Sequence, residues 1–196
     1  MFKRVMMVLA VAALVIVVGC AKPPEAEIQQ ANTAIEAART AEAETYAPAA
    51  YRTAMDTLNA ANAAKTEADG KFALFRSYSK AKELYARAEM LASDAVAQAE
   101  AEKERVKAEV TQMLVDVKAV IDSAQVAFKK APRGKGSKAD LAMIQTDLDA
   151  VAAAYAGAEA DFNNGAYASA KAKLENTVQK ARAIMSEIAA ASARKK

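Results

Sequence analysis

Between residues 72 and 130 the chain contains neither proline nor glycine. The segment is rich in alanine, glutamate and lysine, which favour helix, and lacks the two residues that break one. Its apolar positions recur at steps of three and four. Tyr78, Ala81, Tyr85, Ala88, Ala92 and Ala95 mark one stretch, and Val106, Val110, Met113, Val117, Val120, Ala124 and Phe128 mark a second. This is the spacing of a single helix face. Residues 98–107, rich in glutamate and lysine, separate the two stretches. A helix that is polar nearly all round bridges two packed regions, so a break would fall here. Residues 71–76 read two ways: Phe72 and Phe75 either begin the long helix, which is the favoured reading, or fill a packed turn before it.

The flanking segments share this pattern. A first helix is expected over 25–45, with Ile28, Ala31, Ile35, Ala38 and Glu42 inward. Tyr46-Ala47-Pro48 interrupts it, because the residue before a proline is pushed out of the helical region. A second runs from Pro48 to about residue 68, with Tyr51, Ala54, Met55, Leu58 and Ala61 inward, and Asp69-Gly70 signals a turn. After the long helix, Pro132, Gly134 and Gly136 mark a loop. Ser137 followed by Asp140 resembles a capping box. The next helix runs to Asn163 on the stripe Leu141, Ile144, Leu148, Val151, Tyr155, Ala158 and Phe162. Asn163-Asn164-Gly165 should end it in a left-handed cap. A last helix over 166–191 carries Tyr167, Ala170, Leu174, Val178, Ala181, Met185 and Ile188.

Short loops make consecutive helices antiparallel neighbours. The predicted fold is all-α: antiparallel helical bundles in tandem, sharing a long central helix. Tyr78-Ser79-Lys80-Ala81-Lys82 is echoed by Tyr167-Ala168-Ser169-Ala170-Lys171, each beside a glycine turn. Bundle one is placed at 25–100, bundle two at 101–191 and a basic tail at 192–196.

The first twenty residues are of another kind. Lys3 and Arg4 precede an apolar run from Val5 to Val18, then Gly19 and Cys20. A basic start, a short apolar segment and a small residue before the cut describe an export signal. The run is short for a bilayer span, which takes about 20 apolar residues. Val17-Val18-Gly19-Cys20 resembles a bacterial lipobox. That resemblance implies a diacylglyceryl group on the Cys20 thiol, cleavage after residue 19 and acylation of the new amino terminus. Residues 20–24 would then be a lipidated terminus and spacer. Ala21 after the cysteine implies sorting to the periplasmic face of the outer membrane.

Composition removes several function classes. Of 27 basic and 24 acidic residues, Lys3 and Arg4 lie in the signal, so the remainder is nearly balanced. That is not the electrostatic footprint of a nucleic-acid binder. There is no histidine, the commonest general base and metal ligand. Cys20 is the sole cysteine, so no disulfide forms within the chain. No metal-ligand cluster, nucleophile triad or phosphate loop is recognisable. Gly134-Lys135-Gly136-Ser137 lacks both the earlier glycine and the preceding strand of a phosphate loop. The carboxylates read as solvated helix faces, and no cofactor is expected.

Residues 28–99 resemble a bacterial domain of unknown function found in alanine-rich lipoproteins, often just before an OmpA-like peptidoglycan-binding domain. The features that carry the resemblance are Tyr46-Ala47-Pro48, the Ala54 and Leu58 stripe, and Tyr78 with Ala81 followed by spaced alanines. No OmpA-like segment follows here, and the family brings no activity with it.

Two basic sites remain. Lys129, Lys130, Arg133, Lys135 and Lys138 flank the loop after the long helix and could hold an anion by salt-sensitive attraction. Arg194-Lys195-Lys196 resembles the end of Braun's lipoprotein, which implies Lys196 as a covalent attachment point to peptidoglycan. The sequence points first to a non-enzymatic, lipid-anchored spacer or adaptor. The alternatives are a binding module for a lipid or peptidoglycan fragment, or a covalent wall tether. An enzyme would need convergent carboxylates that the pattern does not place.

Overall fold

The computed structural model describes the backbone of residues 22–131 and 138–193, and the side chains of 22–131 and 141–190. The described residues are all-α. The helices are α1 (Glu25–Thr40), α2 (Ala43–Tyr46), α3 (Pro48–Asp69), α4 (Ser79–Lys130), α5 (Lys138–Asn163) and α6 (Tyr167–Ala193), with a 3-10 turn at Ala73–Phe75. The chain divides into two compact units between Glu102 and Lys103. That division falls inside the polar zone 98–107 of α4, which is one unbroken helix of 52 residues.

In the first unit α1, α3 and the start of α4 run up, down and up. The Tyr78 hydroxyl bonds Asp69 and the Tyr85 hydroxyl bonds Asn62, a pairing that steps in opposite directions along α3 and α4. Glu27 on the first turn of α1 pairs with Lys82 at 3.1 Å, so the starts of α1 and α4 lie side by side. The interior is largely alanine: Ala31, Ala38, Ala54, Ala61, Ala81, Ala88, Ala92, Ala95 and Ala99 are buried, with Ile35, Leu58 and Tyr85 among them. Methyl side chains let helix axes approach closely, and dispersion contacts then accumulate over many atom pairs.

The second unit repeats the arrangement with the end of α4, α5 and α6. The Tyr155 hydroxyl donates to the Leu114 carbonyl at 3.2 Å across α5 and α4. Lys173 pairs with Asp161 at 2.7 Å across α6 and α5. Here the interior is built from branched aliphatics: Val106, Val110, Val117, Ile121, Ile144, Leu148, Val151, Leu174, Ile184 and Ile188.

Local chemistry explains the ends of these helices. Glu25 and Glu27 place negative charge at the amino end of α1, where the helix dipole favours it. Pro48 opens α3 at a position where its missing N–H costs nothing. Gly165 takes φ 80 after α5. The Ala166 N–H reaches the Asp161 carbonyl at 2.9 Å and the Gly165 N–H the Phe162 carbonyl at 3.0 Å, which is a Schellman cap.

Three expectations are corrected. The first helix ends at Thr40, not at residue 45. Glu42 adopts φ 58 in the left-handed region and is exposed rather than inward. This reversal lets Ala43, Tyr46 and Ala47 close the end of the bundle instead. The long helix starts at Ser79, not at Phe72. The 3-10 turn and an extended stretch fill 71–78, because α3 and α4 need a wide connection for Tyr78 to reach Asp69. The last helix runs to Ala193, so residues 192 and 193 belong to α6 and not to a tail.

Candidate functional site

Cys20, Arg133, Lys135, Arg194, Lys195 and Lys196 lie outside the described residues, as does the Ser137 cap. Lys138 is the first residue of α5. Lys129 and Lys130 are exposed in the last turn of α4, where cations complement the carbonyl end of the helix dipole. The described residues thus bring Lys129 and Lys130 together at one helix end.

The more built region is the end of the first unit where the chain arrives. Pro24 is among the most deeply buried side chains, although it precedes α1. The Ile28 N–H donates to the Pro24 carbonyl at 3.0 Å, so the turn before α1 is already set. Beside it, Asp69 gathers three neighbours. Its carboxylate accepts from Lys65 at 2.8 Å and from the Tyr78 hydroxyl, and its carbonyl accepts from the Arg76 guanidinium at 2.9 Å. Arg76 also donates to the Lys71 carbonyl at 3.1 Å. The Lys65 ammonium, and after it the Tyr78 hydroxyl, hold the Asp69 carboxyl below its usual range. The same bond pushes the Tyr78 phenol up. Glu27 is also lowered, first by a backbone N–H and then by Lys82.

Within this turn three large apolar side chains face outward. Phe72 is 69% exposed, Leu74 59% and Phe75 78%. The sequence reading assigned the two phenylalanines to a helix and so missed the cluster. The available signal was three large apolar residues within five positions of Gly70, off the stripe that Tyr78 begins.

The corresponding end of the second unit is polar. Glu109 pairs with Lys171 at 2.9 Å, the counterpart of Glu27 with Lys82. Asp161 accepts from Ser169 at 2.5 Å as well as from Lys173. Lys173 first, then Ser169, keep its carboxyl low. Phe162 packs on Tyr167 with ring centres 5.3 Å apart, and the Lys107 ammonium lies 5.8 Å from the Tyr167 ring centre. These carboxylates are each engaged by a neighbouring cation, an arrangement that fixes helix ends.

Two open depressions run along α1. Glu25, Ile28, Asn32 and Glu36 line one, and Ala26, Gln30, Ala37 and Glu89 line the other. Thr33 lies in both. Among the described residues no group of three or more histidine, cysteine or acidic side chains could hold a metal ion. No described helix is long and apolar enough to cross a membrane. No protein-family model, no curated protein and no solved structure matches the chain.

Proposed function

We propose that this chain is a non-enzymatic bacterial lipoprotein, held at the periplasmic face of the outer membrane by acyl chains on Cys20. Its two bundles act as a helical spacer or adaptor for an envelope partner. One observation carries the reading: Val17-Val18-Gly19-Cys20 closes an export-type segment only a few residues before the buried Pro24. Two or more acyl chains give stable anchoring, at about 0.8 kcal/mol per buried methylene. The resemblance of residues 28–99 to an alanine-rich lipoprotein domain supports the same reading, since that stretch spans most of the first unit.

The test is fractionation. The native chain should sediment with membranes and Cys20→Ser should not. An unchanged distribution removes the anchor from the proposal. A second reading, a covalent tether to peptidoglycan, rests on the terminal Arg194-Lys195-Lys196. Peptidoglycan boiled in detergent should retain the chain only when Lys196 is present; loss in both cases leaves a non-covalent adaptor.

A further inference from the structure

The turn that joins α3 to α4 shows large apolar side chains to solvent, unlike the other described turns. Phe72, Leu74 and Phe75 are 69%, 59% and 78% exposed. The turn that holds them is not slack. Arg76 donates to the carbonyls of Asp69 and Lys71, Tyr78 bonds the Asp69 carboxylate, and the Phe75 N–H closes the 3-10 turn on the Phe72 carbonyl at 2.9 Å. The fold therefore fixes this cluster outward instead of folding it over the open end of the bundle. A contiguous exposed apolar patch marks an interaction site.

Its position says with what. The cluster lies at the end of the first unit where α1 begins, because Glu27 on α1 pairs with Lys82 on α4. At that end Pro24 is buried, so the chain is pinned where it enters the bundle. Only Ala21, Lys22 and Pro23 separate it from Cys20. Fully extended, such a link spans at most roughly 14 Å. The polar layer of one leaflet is about 5–7 Å thick, half the difference between the whole bilayer and its hydrocarbon core. A lipid on Cys20 would hold this end of the bundle against the bilayer, with the apolar turn within reach of the acyl chains.

We propose that Phe72, Leu74 and Phe75 form a membrane wedge: a second, non-covalent contact with the leaflet that carries the Cys20 lipid. This rests on the anchoring reading above. The occupant is the acyl region of a bilayer rather than its charged surface. Two of the neighbouring cations are already engaged by carboxylates, Lys71 by Glu67 at 2.8 Å and Lys82 by Glu27, and Arg76 is turned inward onto backbone carbonyls. The contact should therefore resist salt, unlike a basic patch. It would fix the angle at which the bundle leaves the membrane, which a lipid on a three-residue link alone would not.

The chain has no tryptophan, so a single introduced indole reports one site. Phe72→Trp and Phe75→Trp place it in the wedge, and Ala49→Trp places it at an exposed position at the other end of the bundle. The full chain is purified from membranes and checked by mass for acylation. It is then reconstituted into phosphatidylethanolamine and phosphatidylglycerol vesicles whose acyl chains are brominated. The expected result is blue-shifted emission and loss of most intensity for both wedge indoles, unchanged at 1 M salt, with Ala49→Trp unaffected. Acylated chain that floats with vesicles while both wedge indoles stay unquenched overturns the wedge and leaves the anchor intact; a second copy or a protein partner would then cover the patch. Equal quenching of Ala49→Trp also overturns it, since the bundle would be lying flat. Chain that carries no acyl group and does not float removes the anchor, and the wedge with it.

Discussion

The Tyr85 hydroxyl donates to the side-chain oxygen of Asn62 at 2.6 Å, from a ring that is fully buried to an amide at the surface. The ring is buried in an interior made largely of alanine, and the bond lets its polar tip reach the rim. The two contributions should separate. Tyr85→Phe keeps the ring and loses one hydrogen bond, about 1 kcal/mol. Tyr85→Ala leaves a cavity that flanking alanines cannot fill, about 3–5 kcal/mol. Urea unfolding of the two variants reads the difference. Equal losses would mean the hydrogen bond, not the ring, holds the site.

Thr177 and Ala88 hold corresponding places in the third helix of each unit, and both are buried. The Thr177 hydroxyl donates to the Lys173 carbonyl of its own helix at 2.7 Å. That carbonyl already has a helical partner, so Thr177→Val orphans nothing and should change stability by less than about 1 kcal/mol. Ala88→Leu forces extra methylenes between closely approached helices and should cost about 1–3 kcal/mol. Thermal melts decide, and a tolerated Ala88→Leu would show that the alanine interior is loose.

The glycines divide by backbone. Gly165 sits at φ 80 with nothing near its missing side chain, so Gly165→Ala meets only the left-handed penalty, about 1 kcal/mol or more. Gly157 lies inside α5 and an added methyl would meet only the Lys173 ammonium at 4.0 Å. Gly157→Ala should stabilise by about 0.5–1 kcal/mol. Gly70, in right-handed geometry with φ −71, should gain about 0.4–1 kcal/mol as alanine. Opposite signs at Gly165 and Gly157 are the outcome to look for in chemical denaturation.

The sequence carried the five long helices, though not the short α2, and most of the interior, because steps of three and four are unambiguous over such lengths. Tyr78, Ala81, Tyr85, Ala88, Ala92 and Ala95 are all buried as predicted. The stripe drifted where it passed the middle of a helix. Ile121 is buried where Val120 was expected, and Thr177 and Ile184 where Val178 and Met185 were. A period of 3.6 allows either residue at each such step, and packing across the bundle chooses. Two features had no local signal. Glu42 is left-handed without being glycine or asparagine, a conformation imposed by the burial of Ala43 and Tyr46. The 71–78 turn contains helix-compatible residues, and non-local bonds, chiefly those from Tyr78 and Arg76 back to Asp69, hold it in another shape. The outward apolar cluster was hidden by the same ambiguity.

The pH dependence of stability should be a flat plateau with two edges. Glu27, Asp69, Glu109 and Asp161 are all lowered in the folded chain, Glu27 chiefly by a backbone N–H and the others chiefly by lysine partners. A lowered acid contributes stability above its unfolded value, near pH 4, and loses it as pH falls through the folded value. On the alkaline side Lys65 is raised by Asp69. Tyr78 is raised by Asp69, and Tyr85 and Tyr155 by burial. Raised groups hold their contribution below the unfolded value, near pH 10, and lose it as pH climbs through the folded one. The chain has no histidine, the one side chain whose ordinary value lies between about pH 5 and pH 8. Urea midpoints taken from pH 3 to pH 11 should be level across that interval and fall on both flanks. The acid flank should be gentler in 1 M salt, because the pairs that lower Asp69, Glu109 and Asp161 are half-exposed and so reached by screening. A slope between pH 6 and pH 8 would mean that a group outside these four clusters is linked to folding.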